Sequence, residues 1–168
     1  MSILIDKYCL DTNVLIQAWQ KYYNPKFCPD YWEILIELGK KERIFIPEEV
    51  YEEIVRTEDD LSKWFKGSKI PIKKTNEEVL KCLKNIYSFD PKHKYLVDNT
   101  RQRSLADPWI IAHSMHEKAT VVTKEDKIIS ANSTRIKIPN VCDNMGVPWI
   151  NDFQLVEKLN IKFLCKLI

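Results

Sequence analysis

Glycine is scarce in this chain, whose 168 residues include 3 glycines. No G-x-G-x-x-G or G-x-x-x-x-G-K segment occurs, which excludes the glycine-rich loops that wrap nucleotide phosphates. Long apolar runs are missing too, so no segment is expected to span a membrane. Residues 3–5 are apolar, but Asp6 follows them at once, and a run this short does not make a signal peptide. We therefore expect a protein without a membrane anchor.

Paired cysteines and a strong charge imbalance are missing as well. The 5 cysteines are odd in number and form no C-x-x-C pair, which favours reduced, mostly buried thiols in a cytoplasmic protein. The net charge is +2, from 26 Lys and Arg against 24 Asp and Glu. This balance argues against strong nonspecific binding of nucleic acid but is compatible with a local basic patch.

Short apolar segments alternate with helical patterns along the chain. Strands are predicted at residues 8–10, in ERIFIP and in TVVT, with helices between them. The alternation predicts one α/β domain over residues 1–168, in which a mainly parallel sheet is covered by helices on both faces.

The sequence also predicts where several helices begin. Asp30 with Glu33, and Thr75 with Glu78, form capping boxes, and Asn151 is expected to cap the last helix. We expect a short helix and a loop between residues 57 and 74, and a helix over DPKHKYLVDNTRQRS. One or two short strands are expected in IKIPNVCDNMGVPWI, and the tail NIKFLCKLI could form another strand.

Acidic residues follow the ends of the predicted strands. Asp11 comes after the first strand, four glutamates lie on the helix after the second, and Asp107 begins the helix before the third. In open α/β sheets, sites form outside the carboxyl ends of the strands. Two carboxylates ~4 Å apart repel by ~4 kcal/mol at an effective dielectric of ~20. Mg²⁺ or Mn²⁺, which prefer oxygen ligands, would relieve this repulsion.

Simpler roles exist for these residues. Asp11 also fits the N-cap of the following helix, and Asp107 fits a first-turn acid that offsets the helix dipole. His113 and His116 could in principle bind zinc, but no third soft ligand accompanies them, so packed or solvated histidines are favoured. His93 lies between two lysines and is expected at the surface.

Four sequence blocks together carry a family resemblance. The segments CLDTNVLI, IFIPEEVYEEI, ADPWIIAHS and VVTKED resemble, in this order, the blocks of the PIN-domain ribonucleases. ADPWIIA followed by VVT, KIPNVC and a closing Phe is more particularly similar to the DUF4411 branch of PIN-like proteins. The resemblance extends from about Tyr8 to Phe163. It implies a three-layer α/β/α sandwich and an endoribonuclease that uses Mg²⁺ or Mn²⁺ to activate the attacking water.

The resemblance also assigns roles to individual residues. The four acids that correspond to the family's catalytic, metal-binding set are Asp11, Glu53, Asp107 and Glu125. The last position is usually Asp in the family, so the neighbouring Asp126 is an alternative metal ligand. Thr12, Asn13 and Thr123 would orient the carboxylates through hydrogen bonds. Many family members are toxins paired with an antitoxin protein, and a homodimer is plausible.

Candidate contacts to single-stranded or structured RNA lie in two further segments. Lys66 and Lys69 belong to SKWFKGSKIPIKK, where lysines could hold phosphates while an aromatic ring stacks on an unpaired base. Alternatively this segment is a solvated loop whose aromatic side chains pack into the core. Arg101 and Arg103, just before Asp107, could contact phosphate or belong to a surface helix.

Two other functions stay open at this stage. The fold could serve as an RNA-binding or interaction module whose metal site is too weak for cleavage, which the unusual Glu125 would explain. A metal-dependent phosphohydrolase acting on small phosphate esters would use the same acids. An open basic groove would favour RNA, and a small closed pocket would favour the small ester.

Overall fold

Five parallel strands form the central sheet of the protein. A computed structural model describes residues 6–97, 105–130 and 135–168. The strands are β1 (Tyr8–Leu10), β2 (Ile44–Pro47), β3 (Ile72–Lys73), β4 (Thr120–Val122) and β5 (Trp149–Ile150), in the order β3-β2-β1-β4-β5. Every pair is parallel, and Cys9 lies opposite Phe45 on one side and Val121 on the other.

Helices connect the strands and flank the sheet. They are α1 (Thr12–Gln20), α2 (Pro29–Lys40), α3 (Glu48–Val55), α4 (Asp60–Ser68), α5 (Glu77–Phe89), α6 (Asp107–Glu117), α7 (Ile138–Met145) and α8 (Asp152–Lys158), with a 3-10 helix at Pro91–Leu96. α6 packs against β1, β2 and β4, α5 packs on α6, and α2 contacts β2. The predicted three-layer α/β/α sandwich is confirmed. Among the described residues, no helix combines the length and apolarity that crossing a membrane requires.

The central strands are buried because both faces of a parallel sheet are covered. All residues of β1 and β2 are buried, and burial of a side chain such as Ile44 or Phe45 contributes roughly 1.5–3 kcal/mol. β1 pairs with β2 on one side and with β4 on the other, so the strand order reverses between β1 and β4. A crevice at the carboxyl ends of these two strands is where ligands bind in folds of this kind.

Two of the predicted helix starts are wrong, by two residues for α2 and by one residue for α5. α2 begins at Pro29 rather than after Asp30, since proline suits the first position of a helix and leaves Asp30 in the first turn. α5 is capped by Asn76, whose side-chain oxygen accepts from Val79 N–H at 2.9 Å, because asparagine caps at least as well as threonine. The predicted Asn151 cap of α8 is confirmed by a 2.8 Å bond from Gln154 N–H.

The segment after β4 differs most from the sequence prediction. IKIPNVCDNMGVPWI contains one of the predicted short strands, β5, but residues 138–145 form the helix α7, where no helix was expected. Pro139 in the first turn and Gly146, left-handed with φ 67°, are the helix signals in this segment. The tail 161–168 forms no strand. β3 was not predicted because two residues carry no periodic pattern.

His93 is buried, contrary to its predicted surface position. The predicted helix over residues 90–104 is instead the 3-10 helix Pro91–Leu96, and residues 98–104 lie outside the described part of the chain. His93 Nδ1 lies 2.7 Å from the Ile86 carbonyl oxygen, and Nε2 lies 2.9 Å from Asn144 Nδ2. The 3-10 turn directs this ring inward between two exposed lysines, and sequence position alone does not reveal that direction.

Candidate active site

Asp11 lies at the carboxyl end of β1, in the crevice between β1 and β4. Its N–H donates to the Val122 carbonyl oxygen at 2.9 Å, which extends the pairing with β4 by one residue. The side chain is 2% exposed, and Thr123 Oγ1 donates to its Oδ2 at 3.0 Å. Asp11 occupies the N-cap position of α1, and a hydrogen bond from Asn13 N–H favours its charged form, although this contact is outweighed by the burial of the carboxylate.

The charge on Asp11 is disfavoured by its surroundings. Burial raises the pKa of Asp11 to about 7, the Thr123 hydroxyl opposes this rise, and the charges of Glu125 and Glu53 add to it. Two of the other predicted acids are therefore near enough to act on Asp11 electrostatically. A buried carboxylate in the field of two more is stabilised by a cation or by a proton.

Glu53 connects the segments that carry Asp11 and Asp107. Its Oε2 accepts from Thr12 Oγ1 at 2.7 Å, and its Oε1 accepts from Ala106 N–H at 3.2 Å. Thr12 follows Asp11 and Ala106 precedes Asp107, so Glu53 lies between the two aspartates along the crevice. The neighbouring Glu52 is exposed.

Asp107 is the first residue of α6 and is buried. Pro108 follows in the first turn, where the proline ring is tolerated because the first N–H groups of a helix have no intrahelical partner. The hydrogen bond from the adjacent Ala106 N–H to Glu53 places the start of α6 at the crevice.

The Glu125 carboxylate is bound by the start of α7. The Glu125 N–H donates to Thr123 Oγ1 at 3.2 Å. Oε1 accepts from Lys137 Nζ at 2.8 Å, and Oε2 accepts from Ile138 N–H at 2.9 Å. A Glu side chain is one methylene longer than Asp, and at position 125 this length lets the carboxylate reach α7. Asp126 is exposed.

The side chains around Asp11 offer the ligand type that a hard divalent cation prefers, but too few of them are grouped closely. The nearby acids offer only oxygen donors, which Mg²⁺ and Mn²⁺ prefer. Within residues 6–97, 105–130 and 135–168, however, no three His, Cys, Asp or Glu side chains are grouped closely enough to hold a metal ion. The Lys137 ammonium already neutralises Glu125. Asp11, Glu53 and Asp107 thus fit a cation by type and burial, and Glu125 does so only if its side chain turns.

The residues predicted to orient the carboxylates are divided. Thr123 donates to Asp11 and Thr12 donates to Glu53, so both hydroxyls contact an acid of the site. The Asn13 side chain is exposed on α1, but its backbone N–H forms a hydrogen bond that lowers the pKa of Asp11. The contact of Lys137 with Glu125 was not predicted, because the segment that contains Lys137 was interpreted as strands. Pro139, read as a first-turn proline, places Lys137 at the start of a helix.

The aromatic side chains near the predicted RNA-binding lysines are packed inside the protein. Phe65 is buried, and the Trp64 ring lies 4.9 Å from that of Trp32 between ring centroids. Phe65 therefore offers no free face to a base, and half-buried Trp64 packs against the core. The segment is not the solvated loop of the alternative, since residues 60–68 form α4. Lys66 and Lys69 are exposed. Arg101 and Arg103 lie outside the described residues.

His113 is packed rather than arranged as a zinc ligand. Its Nε2 lies 3.4 Å from Thr75 Oγ1 and 3.7 Å from Glu49 Oε2. Burial lowers the pKa of His113 to about 4, so the ring is neutral at pH 7. His116 is exposed on the same helix.

Comparison with known proteins identifies a family and a shared fold. The model of the family "Domain of unknown function (DUF4411)" matches residues 8–163. No curated protein matches the chain significantly. A chain in the crystal structure of VapBC2 from Rickettsia felis bound to a DNA fragment from their promoter superposes with a TM-score of 0.54 at 16% identity, over 86% of this chain and 97% of that chain. This chain therefore belongs to the DUF4411 family, with the PIN-like fold that its four sequence blocks predict.

Proposed function

We propose that this protein is a metal-dependent endoribonuclease that hydrolyses phosphodiester bonds in RNA. The observation that carries the proposal is Asp11, a buried carboxylate at the reversal point of the sheet, whose pKa is raised by burial and by Glu125 and Glu53. Carboxylates whose pKa is raised by burial and by neighbouring charges are concentrated at functional sites. The PIN-like fold and the order of the four blocks favour nucleic acid as the substrate.

Asp11, Glu53 and Asp107 would hold the cation, with Glu125 or Asp126 as the fourth acid. Mg²⁺ or Mn²⁺ bound there would lower the pKa of a water and offset the negative charge that develops on the phosphate. The protein's own contribution is orientation. Thr123 fixes the Asp11 carboxylate, and Thr12 together with Ala106 N–H fixes Glu53, so both acids present a defined oxygen to the crevice.

The biological setting is also part of the proposal. VapBC2, which shares the fold, supports a role as the toxin of a toxin–antitoxin pair, acting in the cytoplasm and restrained by an antitoxin protein. A homodimer would fit the same setting. Induced expression of the wild-type chain in growing bacteria is expected to arrest growth, and expression of the Asp11→Asn variant is not.

A binding module without cleavage is the second candidate, and Glu125 is the observation that favours it. Both of its carboxylate oxygens accept hydrogen bonds from the start of α7, so a cation would compete with Lys137 and with Ile138 N–H for the fourth acid. Isothermal titration calorimetry, which measures the affinity for Mg²⁺ and Mn²⁺, separates the two candidates. Binding at low millimolar concentration or tighter, lost in Asp11→Asn, supports the enzyme; no binding at any accessible concentration supports the module.

Cleavage of a mixed-sequence RNA, partly single-stranded and partly paired, is the direct test. Wild type, Asp107→Asn and Glu53→Gln are compared with Mg²⁺, with Mn²⁺ and with EDTA, and Glu52→Gln serves as the matched control because Glu52 is the exposed neighbour. We expect metal-dependent cutting by wild type and Glu52→Gln alone. Hydrolysis of a small phosphate diester without cutting of RNA would instead support the phosphohydrolase.

A further inference from the structure

An aromatic surface lies at the carboxyl edge of the sheet, and its centre is Lys124. This lysine stands between Thr123, which donates to Asp11, and Glu125, so its backbone belongs to the edge of the crevice. Its Nζ lies 4.8 Å from the centroid of the Tyr22 ring and 4.3 Å from that of Phe153. We call the rings of Tyr22, Tyr23 and Phe153, with the Lys124 ammonium, the aromatic platform.

One ring of the aromatic platform is open to solvent. Phe153 is 47% exposed, and its centroid lies 5.2 Å from that of Tyr22 and 6.5 Å from that of Tyr23. Phe153 is the second residue of α8, three positions after the end of β5, so it lies toward the same edge of the sheet as Asp11. The exposed ring therefore lies at the carboxyl edge of the sheet, whereas Phe65 is buried and Trp64 is half-buried against the core.

A buried ion pair fixes the aromatic platform in place. Lys124 Nζ lies 2.8 Å from Asp152 Oδ1, and the two side chains are 16% and 0% exposed. Burying two charges costs several kcal/mol that their attraction only partly returns. Asp152 Oδ2, also buried, has no hydrogen-bond partner among the described residues. The pair therefore holds Lys124 against the two rings more than it stabilises the fold.

The charge of the protein explains why stacking would matter. With a net charge of +2, general attraction to phosphates supplies little affinity, since such attraction grows with the number of contacts to Lys and Arg. Base–aromatic stacking contributes to affinity without depending on sequence or net charge. A ring next to a fixed cation, joined to the acids through Thr123, suits a nucleobase better than an apolar protein surface.

We propose that the aromatic platform binds an unpaired nucleobase of RNA, stacked on Phe153, next to the phosphodiester that lies over the acids. The base must be unpaired, because a base within a duplex offers no free face to a ring. The inference rests on the proposed function for its substrate, but it concerns binding alone and holds whether or not the bond is cut.

The test measures RNA binding in EDTA, where a metal-dependent nuclease does not cut. Fluorescence anisotropy compares a labelled oligouridylate with an oligonucleotide of the same length whose sugars carry no bases. Phe153→Ala is expected to weaken binding of the oligouridylate by about 5- to 100-fold and to leave binding of the abasic strand unchanged. Phe153→Leu keeps the apolar contact to Tyr22 and should lose affinity to a similar extent.

Tyr95→Ala is the matched control. Tyr95 is 57% exposed and has Lys94 Nζ 5.1 Å from its ring centroid, which reproduces the ring and the cation at a different place. Its 3-10 helix is joined through His93 to Asn144, near the end of α7 that precedes β5, so it lies toward the amino ends of the strands. We expect this variant to bind both oligonucleotides as wild type does.

The possible results separate the inference from the proposed function. Base-dependent binding that is lost in both Phe153 variants supports the aromatic platform even if wild type never cuts RNA. Cleavage by wild type together with unchanged binding by Phe153→Ala overturns the aromatic platform and leaves the nuclease standing. Equal loss of affinity for both oligonucleotides, or no measurable binding of either by wild type, overturns it as well.

Discussion

Replacing Asp11 by asparagine is expected to stabilise the metal-free protein at about pH 8 and to change it little at about pH 4.5. Burial, with the charges of Glu125 and Glu53, raises the pKa of Asp11 from 3.8 to about 7, against the opposing Thr123 hydroxyl. Between these values the folded protein keeps a proton that the unfolded chain has lost, so the free energy of unfolding falls as the pH rises. Asparagine is uncharged at any pH and still offers Thr123 an oxygen.

The magnitude follows from the size of the shift. The pKa rises by about three units, and each unit corresponds to about 1.36 kcal/mol, so the charged Asp11 costs the folded protein about 4 kcal/mol above about pH 7. Its side chain is 2% exposed, so solvent does little to screen this cost. For a domain of ordinary stability, 4 kcal/mol is a large share of the total.

Urea denaturation in EDTA, from about pH 4.5 to about pH 8.5, measures the effect through the fluorescence of the 5 tryptophans. The difference between Asp11→Asn and wild type should grow with pH and level off above about pH 7. Glu52→Gln, at an exposed position, controls for the loss of a negative charge. Wild-type and Asp11→Asn curves that run parallel over the whole range would refute the reasoning.

The same experiment with cation tests the site itself. A cation that binds the folded protein at ten times its dissociation constant stabilises it by about 1.4 kcal/mol. Mg²⁺ or Mn²⁺ should therefore stabilise wild type at about pH 8, where Asp11 is charged, more than at about pH 5. Asp11→Asn should respond weakly at both. Equal responses of the two proteins would place the cation elsewhere.

Three further perturbations test the surroundings of the site. Burial lowers the pKa of His113 to about 4, so its contribution to the free energy of unfolding is complete above about pH 6.5. This free energy falls by about 3 kcal/mol as the pH drops to about 4. Urea denaturation of His113→Gln should not show this loss. Lys124→Met leaves the buried Asp152 carboxylate unpaired and should lower the free energy of unfolding by about 3–5 kcal/mol, measured by heat or urea. The double variant Lys124→Met, Asp152→Leu should recover most of this loss. A double variant no more stable than Lys124→Met would contradict the prediction. Glu125→Gln weakens the hydrogen bonds that Glu125 accepts from Lys137 and from Ile138 N–H. It should lower the free energy of unfolding by about 1–2 kcal/mol and speed hydrogen exchange at the Ile138 amide. Unchanged exchange at this amide would contradict the prediction.

Hydrophobic pattern made most of the sheet predictable. β1, β2 and β4 were recognised because buried parallel strands are continuous apolar runs, and Asp11, Asp107 and Glu125 were placed beside them by position in the chain. β5 lies in the segment where one or two short strands were predicted, whereas β3 was not predicted, because its two residues are too few for a pattern. α7 was mistaken for strands because Ile136, Ile138 and Val141 favour both structures, and the decision between them depends on packing against the rest of the fold.

The choice of Glu53 over Glu52 shows where sequence reasoning ends. Both are glutamates on α3, one residue apart, and nothing in their local pattern distinguishes them. In the structure Glu53 accepts hydrogen bonds from Thr12 and Ala106, whereas Glu52 is exposed. A helix turns its residues by about 100° each, so the angle at which α3 packs decides which carboxylate reaches the crevice.

By itself the sequence determined the α/β class, the family and the kinds of residue that the site would use, because strand and helix periods and the order of short motifs are local properties of the chain. Only the tertiary structure decided that Trp64 and Phe65 pack against the core, that Lys137 holds Glu125, and that Lys124 lies against Phe153 and Asp152. These are contacts between residues about 10 or more positions apart in the chain. Their geometry depends on how helices pack on the sheet, and that packing minimises the free energy of the whole molecule rather than of any segment.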